Sequence, residues 1–354
     1  MTPYEILERF QKNHPGIVTL MRSTNHNFSP KDLNPYHLEG DVWTHTMMVF
    51  NYAVTANFPV EVQLAALLHD IGKAYTLKTR EKPDGQIYTS FFGHDGVSYY
   101  RSLYILKESY SDVLTNEQIY LVARLVANHS VLYSWQNSDT GPSKDDWVKE
   151  AFAGEAAFLT LLTMLVESDA LGRIALNPSD VSEYRKYRDF TTYQEKQIEE
   201  CQPTLTVLVG PPCSGKSTYI DEYSTDEVII SSDNIIEEIG IGNNYNERFC
   251  NVDFKEVEKI MMTRFNDAVK SHKDIIIDRT NMSKKSRRRF ANSCKGYFKT
   301  AVVFTTSHNE MIIRDATRSK LGGKSIPDYV FHNMETAFSY PLTNEFDYVS
   351  EYAD

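Results

Sequence analysis

The eight residues Gly210-Pro211-Pro212-Cys213-Ser214-Gly215-Lys216-Ser217 place two glycines, a lysine and a hydroxyl at the spacing of a phosphate-binding loop. Glycines at that spacing let backbone N–H groups turn inward around a phosphate at a helix N-terminus. Lys216 then reaches the β- and γ-phosphates, and the Ser217 hydroxyl binds Mg²⁺. Gly210, Ser214, Gly215, Lys216, Ser217 and Thr218 together form a candidate site for ATP or another NTP. A chance match to the fixed positions of this P-loop pattern is about 1% in a chain of average composition. The apolar run Leu205 to Val209 before it and Thr218-Tyr219-Ile220 after it are the strand and helix the pattern requires.

The residues downstream suggest what receives the phosphate. Ser231-Ser232-Asp233 follows a second apolar run, at the sheet edge where ligands of open α/β sheets bind. Asp233 is a candidate general base for an acceptor hydroxyl; holding Mg²⁺ through water and capping the following helix are its other two readings. Asp278 closes Ile275-Ile276-Ile277 as a second acidic candidate, with Thr280 and Asn281 as candidate substrate contacts. Arg314 and Arg318, four apart, share one face of a helix. With Gly322, Gly323, Lys324 and Pro327 behind them they read as a basic lid whose arginines neutralise the transferring phosphoryl group.

A second chemistry lies in the N-terminal half. His69-Asp70 ends the apolar run Ala65 to Leu68, and two adjacent polar side chains there need partners if they are buried. The dipeptide alone says little, since His94-Asp95 repeats it. The ordered series His45, His69, Asp70, His94, His129 and Asp169 says more, because each member falls near the end of an expected helix, where side chains converge. Neutral imidazoles with two carboxylates suit Mn²⁺, Fe²⁺, Co²⁺, Ni²⁺ or Zn²⁺. Six ligands allow two metals; His45, His69, Asp70 and Asp169 alone make a one-metal site, with His94 and His129 left to bind substrate phosphate. Lys73 and Arg173 are candidate phosphate-neutralising cations. His14, His26, His37, His272, His308 and His332 read as structural or exposed.

These residues need two frameworks. Up to about residue 195 the chain reads as mostly helical, with apolar residues at helical spacing over Glu61 to Leu68 and Glu155 to Val166. Tyr75 to Arg80 and Gln86 to Phe92 flank the turn Pro83-Asp84-Gly85 and read as a β-hairpin inserted between helices. Polar residues from Thr191 to Pro203 mark a linker. Strand-like runs follow at Leu205 to Val209, Glu227 to Ile230, Asp274 to Ile277 and Thr300 to Phe304, separated by helices, which is the pattern of an α/β domain with a parallel sheet. Two domains are expected, 1–195 and 204–354, and 354 residues suffice for two cores.

The net charge is −11, with 18 basic against 26 acidic residues before Thr204 and 19 against 22 from there on. That argues against a nonspecific nucleic-acid binder. The more acidic first part holds seven of the ten histidines, a composition suited to metals. Cys201, Cys213, Cys250 and Cys294 form no Cys-x-x-Cys pair, against a zinc ribbon or a disulfide framework. No apolar run approaches the roughly 20 residues of a membrane span, and the N-terminus lacks the regions of a signal peptide, so a cytoplasmic protein is expected.

Two resemblances follow from these motifs. The P-loop, Ser-Ser-Asp, Asp278-x-Thr280-Asn281, and Arg314-x-x-x-Arg318 with Ile326-Pro327 resemble the 5′-OH polynucleotide kinases of nucleic-acid repair over about residues 204 to 340. The resemblance implies that Lys216 and Ser217 handle NTP and Mg²⁺, that Asp233 activates the 5′-OH, and that Arg314 and Arg318 clamp phosphates. That family often has an arginine three residues after the aspartate, where this chain has Ile236; the basic run Lys284, Lys285, Arg287, Arg288 and Arg289 is a candidate replacement. The His/Asp series resembles HD-domain phosphohydrolases over residues 36 to 175, and Ser168-Asp169-Ala170-Leu171-Gly172-Arg173 is similar to the HD domain of bacterial CCA-adding enzymes, which act on 2′,3′-cyclic and terminal phosphates. The combination looks like the bifunctional HD-Pnk enzymes of end healing. This implies RNA or DNA ends as substrates and a separate polynucleotide ligase as functional partner. Two alternatives are a nucleoside or metabolite kinase fused to an HD nucleotidase, and an NTP-binding switch that regulates the HD domain.

Overall fold

Asp41 opens the helix Val42–Thr55 by accepting the Thr44 amide at 2.9 Å. Its spacing then turns Val42, Trp43, His45, Thr46, Val49, Phe50 and Ala53 inward. The helix Val60–Leu68 is apolar nearly all round and lies at the centre of this half, Leu64 to Leu68 having no exposed surface. Burying Leu64, Leu67 and Leu68 stabilises the fold by about 1.5–3 kcal/mol each. Against it pack Val42–Thr55, Asn116–Asn128 and Ala156–Leu171, and His94–Tyr110 packs on Asn116–Asn128. Thr115 and Gln118 cap Asn116–Asn128 reciprocally.

This computed structural model describes residues 1–133, 135, 141–199, 202–320 and 323–353; Cys201 and Gly322 lie outside the described residues. The chain divides into two units. One comprises Met1–Tyr193 with Glu335–Tyr340, the other Gln194–Met334 with Pro341–Asp354.

In the first unit the expected hairpin forms from β1 (Lys78–Glu81) and β2 (Ile87–Ser90), paired antiparallel. It starts later than the sequence suggests. Tyr75 and Thr76 belong to the short helix Lys73–Thr76, because the Thr76 hydroxyl and amide both bond back to the Gly72 carbonyl. Glu335–Tyr340 completes the unit: Phe338 stacks on Tyr99 with ring centroids 4.9 Å apart, and Tyr340 lies 5.2 Å from the Arg124 guanidinium.

The second unit carries a five-stranded, all-parallel sheet of β3 (Thr204–Val209), β4 (Val228–Ser231), β5 (Ile275–Asp278), β6 (Phe298–Phe304) and β7 (Tyr348–Tyr352), in the order β4-β5-β3-β6-β7. β3 lies centrally and β5 beside it, and both are almost wholly buried, as strands covered on both faces must be. The edge strand β7 has no counterpart among the expected runs. Among the described residues no helix is long and apolar enough to cross a membrane.

Candidate active sites

The His/Asp series comes together in the first unit. His45 lies in the first turn of Val42–Thr55. His69 and Asp70 follow directly on Val60–Leu68, and His129 on Asn116–Asn128. His94 begins its helix behind Gly93, whose φ of 80° is in the left-handed region. Asp169 sits in the last turn of Ala156–Leu171. The helix from His94 packs against the His69-Asp70 turn because Gly72 has no side chain. A Cβ there would lie 2.2 Å from the His94 carbonyl oxygen, and the Gly72 amide donates to the Ser98 hydroxyl at 2.9 Å.

Asp70 joins two groups of donors. Its Oδ2 is 3.4 Å from His45 Nε2 and 3.3 Å from His69 Nε2. Those nitrogens are 3.3 Å apart and lie 3.1 and 3.8 Å from Asp169 Oδ1. Its Oδ1 is 3.4 Å from His94 Nε2 and 3.7 Å from His129 Nε2, themselves 3.2 Å apart. Donors about 2.0–2.2 Å from one metal are about 2.9–3.6 Å from each other, so His45, His69 and Asp70, and Asp70, His94 and His129, each come near the spacing of a coordination shell, with Asp169 beside the first. The tautomers agree. His69, His94 and His129 donate Nδ1–H to the carbonyls of Ala66, Phe91 and Val126 at 2.9, 2.9 and 2.7 Å, which leaves each Nε2 lone pair free.

The electrostatics call for cations. Asp70, Asp169, Asp95 and Glu39 crowd one site with Lys73, whose ammonium is 2.7 Å from Asp70. Burial opposes charge on Asp70, yet His69 and Lys73 hold its carboxyl well below the usual range; Asp169 is held down in the same way by His45. Burial likewise works against protonating His45 and His94, but neighbouring carboxylates raise both. His129 is lowered by burial and stays neutral. Buried carboxylates in excess, with imidazoles turned toward them, fit one or two divalent metal ions.

Four further residues belong to this site. Glu39 Oε1 accepts from His37 Nδ1 at 2.9 Å and lies 2.9 Å from His45 Nδ1. The His26 and His37 rings stack 4.2 Å apart, and Lys73 Nζ donates to His26 Nε2 at 3.3 Å. Burial and Lys73 push His26 down to about 2 and His37 to about 4, so both are neutral. His26 and His37, read from the sequence as structural or exposed, therefore form part of the cluster's wall. They come from an irregular segment with no periodicity to flag them. Asp95, of the second His-Asp pair, lies 3.3 Å from His129 Nδ1. Arg173 donates to the Ser179 hydroxyl at 2.8 Å.

In the second unit the P-loop joins β3 to the helix Lys216–Tyr223. Cys213 and Gly215 take left-handed φ values of 62° and 97°. A Cβ on Gly210 would lie 2.6 Å from Ser214 Oγ, so the loop closes only with glycine there. Lys216 Nζ donates to the Gly210 and Pro211 carbonyls at 3.0 and 2.5 Å. Burial pushes it down to about 8, against the pull of Asp278 and Asp233. Ser214 is buried and its carbonyl accepts the Thr306 hydroxyl at 2.9 Å; Ser217 is exposed and Thr218 half-buried in the first helical turn.

Asp233 lies in the first turn of Ser232–Ile239, whose cap is Ser231, not Asp233. It accepts the Tyr245 hydroxyl at 2.6 Å and pairs with Lys324. Burial works against its charge, but Lys324 and Tyr245 keep its carboxyl low. Asp278 accepts the Ser231 hydroxyl at 3.0 Å, and the Thr280 carbonyl accepts the Gly210 amide at 3.0 Å. Asn281 departs from the expected substrate contact. It is buried, with φ 47°, and its amide donates to the Leu208 carbonyl at 2.8 Å, bracing the end of β3. Arg314 pairs with Glu310, and Arg318 with the buried Asp315.

Ile236 is buried. The basic run does not replace the arginine absent there as a unit: Arg287 is fully buried, pairs with Glu345 and donates to the Asn281 and Met282 carbonyls, while Arg289 pairs with Glu258.

Comparison with known proteins finds the HD domain over residues 42–166 and the AAA domain over 205–341. Multifunctional CCA proteins are similar. That of Burkholderia ambifaria is 26% identical over 154 residues, covering 43% of this chain and 35% of the relative. That of Methylobacillus flagellatus is 30% identical over 156 residues, covering 44% and 31%. The chain thus spans about a third of the length of these relatives. A chain in the structure of a Pnkp1/Rnl/Hen1 RNA repair complex is 26% identical, covers 38% of this chain and 43% of its own length, and has a TM-score of 0.31.

Proposed function

Since the chain is an HD domain followed by an AAA-type P-loop domain, the layout of the HD-Pnk enzymes, we propose that it heals polynucleotide ends from both sides of a break. The HD domain removes a 2′,3′-cyclic or 3′-terminal phosphate, and the P-loop domain transfers the γ-phosphate of ATP or another NTP to a 5′-OH. The observation that supports this reading is that one chain holds, with separate side chains, the Asp70-centred donor cluster and a P-loop whose Lys216 feels the charge of Asp233 in the first turn of Ser232–Ile239.

In the kinase the 5′-hydroxyl takes the place of the Tyr245 hydroxyl at Asp233. Its oxygen bonds to the γ-phosphorus, its proton passes to the Asp233 carboxylate, and the bond to the β-phosphate bridging oxygen breaks. Lys216, Arg314 and Arg318 neutralise the charge in transit, and Ser217 would hold Mg²⁺. In the HD domain His45, His69, Asp70 and Asp169 would hold one divalent ion, and Asp70, His94 and His129 a second. Metals of the Mn²⁺, Fe²⁺, Co²⁺, Ni²⁺ or Zn²⁺ type supply Lewis acidity and a water acidic enough to ionise near neutral pH. Lys73 and Arg173 offset the charge of the phosphate, and the buried walls restrict bulk water. A separate ligase then joins the healed ends.

The test is a 5′-OH, 3′-phosphate oligonucleotide and its 2′,3′-cyclic counterpart, RNA and DNA, incubated with ATP and each divalent metal, with both ends followed. The reading fails if neither end changes. The buried Ile236 favours one rival, a nucleoside or metabolite kinase fused to a nucleotidase. Transfer to nucleosides with none to oligonucleotides would select that rival.

A further inference from the structure

Tyr245 and Phe249 are one turn apart on the helix Tyr245–Asn251, and Phe254 opens the helix Phe254–Lys270. Their rings form a row, with centroids 6.0 Å apart from Tyr245 to Phe249 and 5.0 Å apart from Phe249 to Phe254. Phe249 is 44% exposed and Phe254 50%. A row of large apolar rings left half open to water calls for a partner.

The row is built, not loose. Arg248 donates to the carbonyls of Gly242 and Glu237 at 3.1 and 2.8 Å, and the Asn251 amide to that of Ile241 at 3.2 Å. Glu247 accepts from the Asn243 backbone and the Asn244 side chain. Polar bonds thus fix the segment while Tyr245 stays half-buried and Phe249 exposed. The row starts at the candidate base, since Tyr245 donates to Asp233 and Lys324 Nζ lies 3.6 Å from the Tyr245 ring centroid.

We infer that Tyr245, Phe249 and Phe254 are the track for the 5′-terminal bases of a single-stranded polynucleotide, with Lys324 meeting a backbone phosphate beside the reacting hydroxyl. This rests on the polynucleotide-kinase reading and deepens it. Every base has a π-face, so an aromatic track takes any sequence, and a cation over its first ring adds to the hold. It also accounts for binding by a chain of net charge −11 whose Ile236 is buried: stacking replaces most of the electrostatic grip. A nucleoside would cover Tyr245 alone and leave Phe249 and Phe254 without a role.

The test is the KM for 5′-OH single strands of increasing length, with the KM for ATP read in the same assays. In the wild type, KM should fall as the strand lengthens past its first nucleotide, with a shallow dependence on salt. Phe249→Ala and Phe254→Ala should each raise the KM for long strands by roughly 5-fold or more and flatten the length dependence, with the KM for ATP unmoved. Phe249→Tyr should restore it. Wild-type transfer to strands with unchanged KM in both alanine variants overturns the track alone. No wild-type transfer to any strand overturns the kinase reading and the track with it.

Discussion

Glu39 Oε1 lies 2.9 Å from His45 Nδ1, both side chains having no exposed surface, whereas His69, His94 and His129 give their Nδ1 hydrogens to backbone carbonyls. A carboxylate behind an imidazole makes the ring a stronger donor than a carbonyl does. The position lined by His45, His69, Asp70 and Asp169 is therefore expected to bind metal more tightly than the one lined by Asp70, His94 and His129. Chelator competition should show two affinities. Glu39→Gln should weaken the tighter by about 10- to 100-fold and leave the other in place. Equal affinities in variant and wild type would remove this role for Glu39.

The two activities should separate, because their residues belong to different units. Asp70→Ala should abolish removal of the 3′-side phosphate and leave 5′-phosphorylation intact; Lys216→Ala should do the reverse. A mixture of the two variants should heal both ends of a broken RNA stem-loop. Loss of both activities in either variant, assayed end by end, would indicate interdependent sites.

Within the kinase, Lys216 and Asp233 should fail differently. Each alanine variant should lose at least ~10²-fold in transfer, while NTP affinity should fall mainly in Lys216→Ala. Equilibrium nucleotide binding beside single-turnover transfer distinguishes them. Near-normal transfer by Asp233→Ala would end its assignment as the base.

Gly72→Ala should damage the HD site without touching a donor. The new methyl would meet the His94 carbonyl and Ser98, so the turn holding Asp70 and the helix holding His94 must part. A loss of about 1–3 kcal/mol is expected, with reduced metal content. Thermal unfolding and elemental analysis check this; wild-type values in both would show that the contact yields freely.

Both layers of the fold were legible because periodicity and the glycine-rich loop are local signals. The run from Ile275 to Ile277 reads as a buried strand, and β5 is one. Tyr348–Tyr352 was not legible: an edge strand carrying Ser350 and Glu351 lacks the apolar run of a central one. The His/Asp series stood out because helix ends gather in space, and its donors do meet. Glu39, His26 and His37 gave no such sign, being brought to the cluster by a loop whose path only tertiary packing sets. Asn281 misled because a polar residue after a strand end reads as substrate-facing, while here its amide satisfies a backbone carbonyl.

Glu335–Tyr340 has a consequence for how the chain is made. These six residues belong to the unit that holds the His/Asp cluster, where Phe338 fills space beside Tyr99 and Tyr100 and a Cβ on Gly93 would strike Thr336. Synthesis proceeds from the N-terminus, so the ribosome translates the whole P-loop and four strands of the sheet before the first unit receives its last piece. Its nascent form spends that interval with the aromatic cleft around Tyr99 open to water. Folding of the earlier half is thus timed by the later one, and a protein cut at the linker would leave that cleft unfilled.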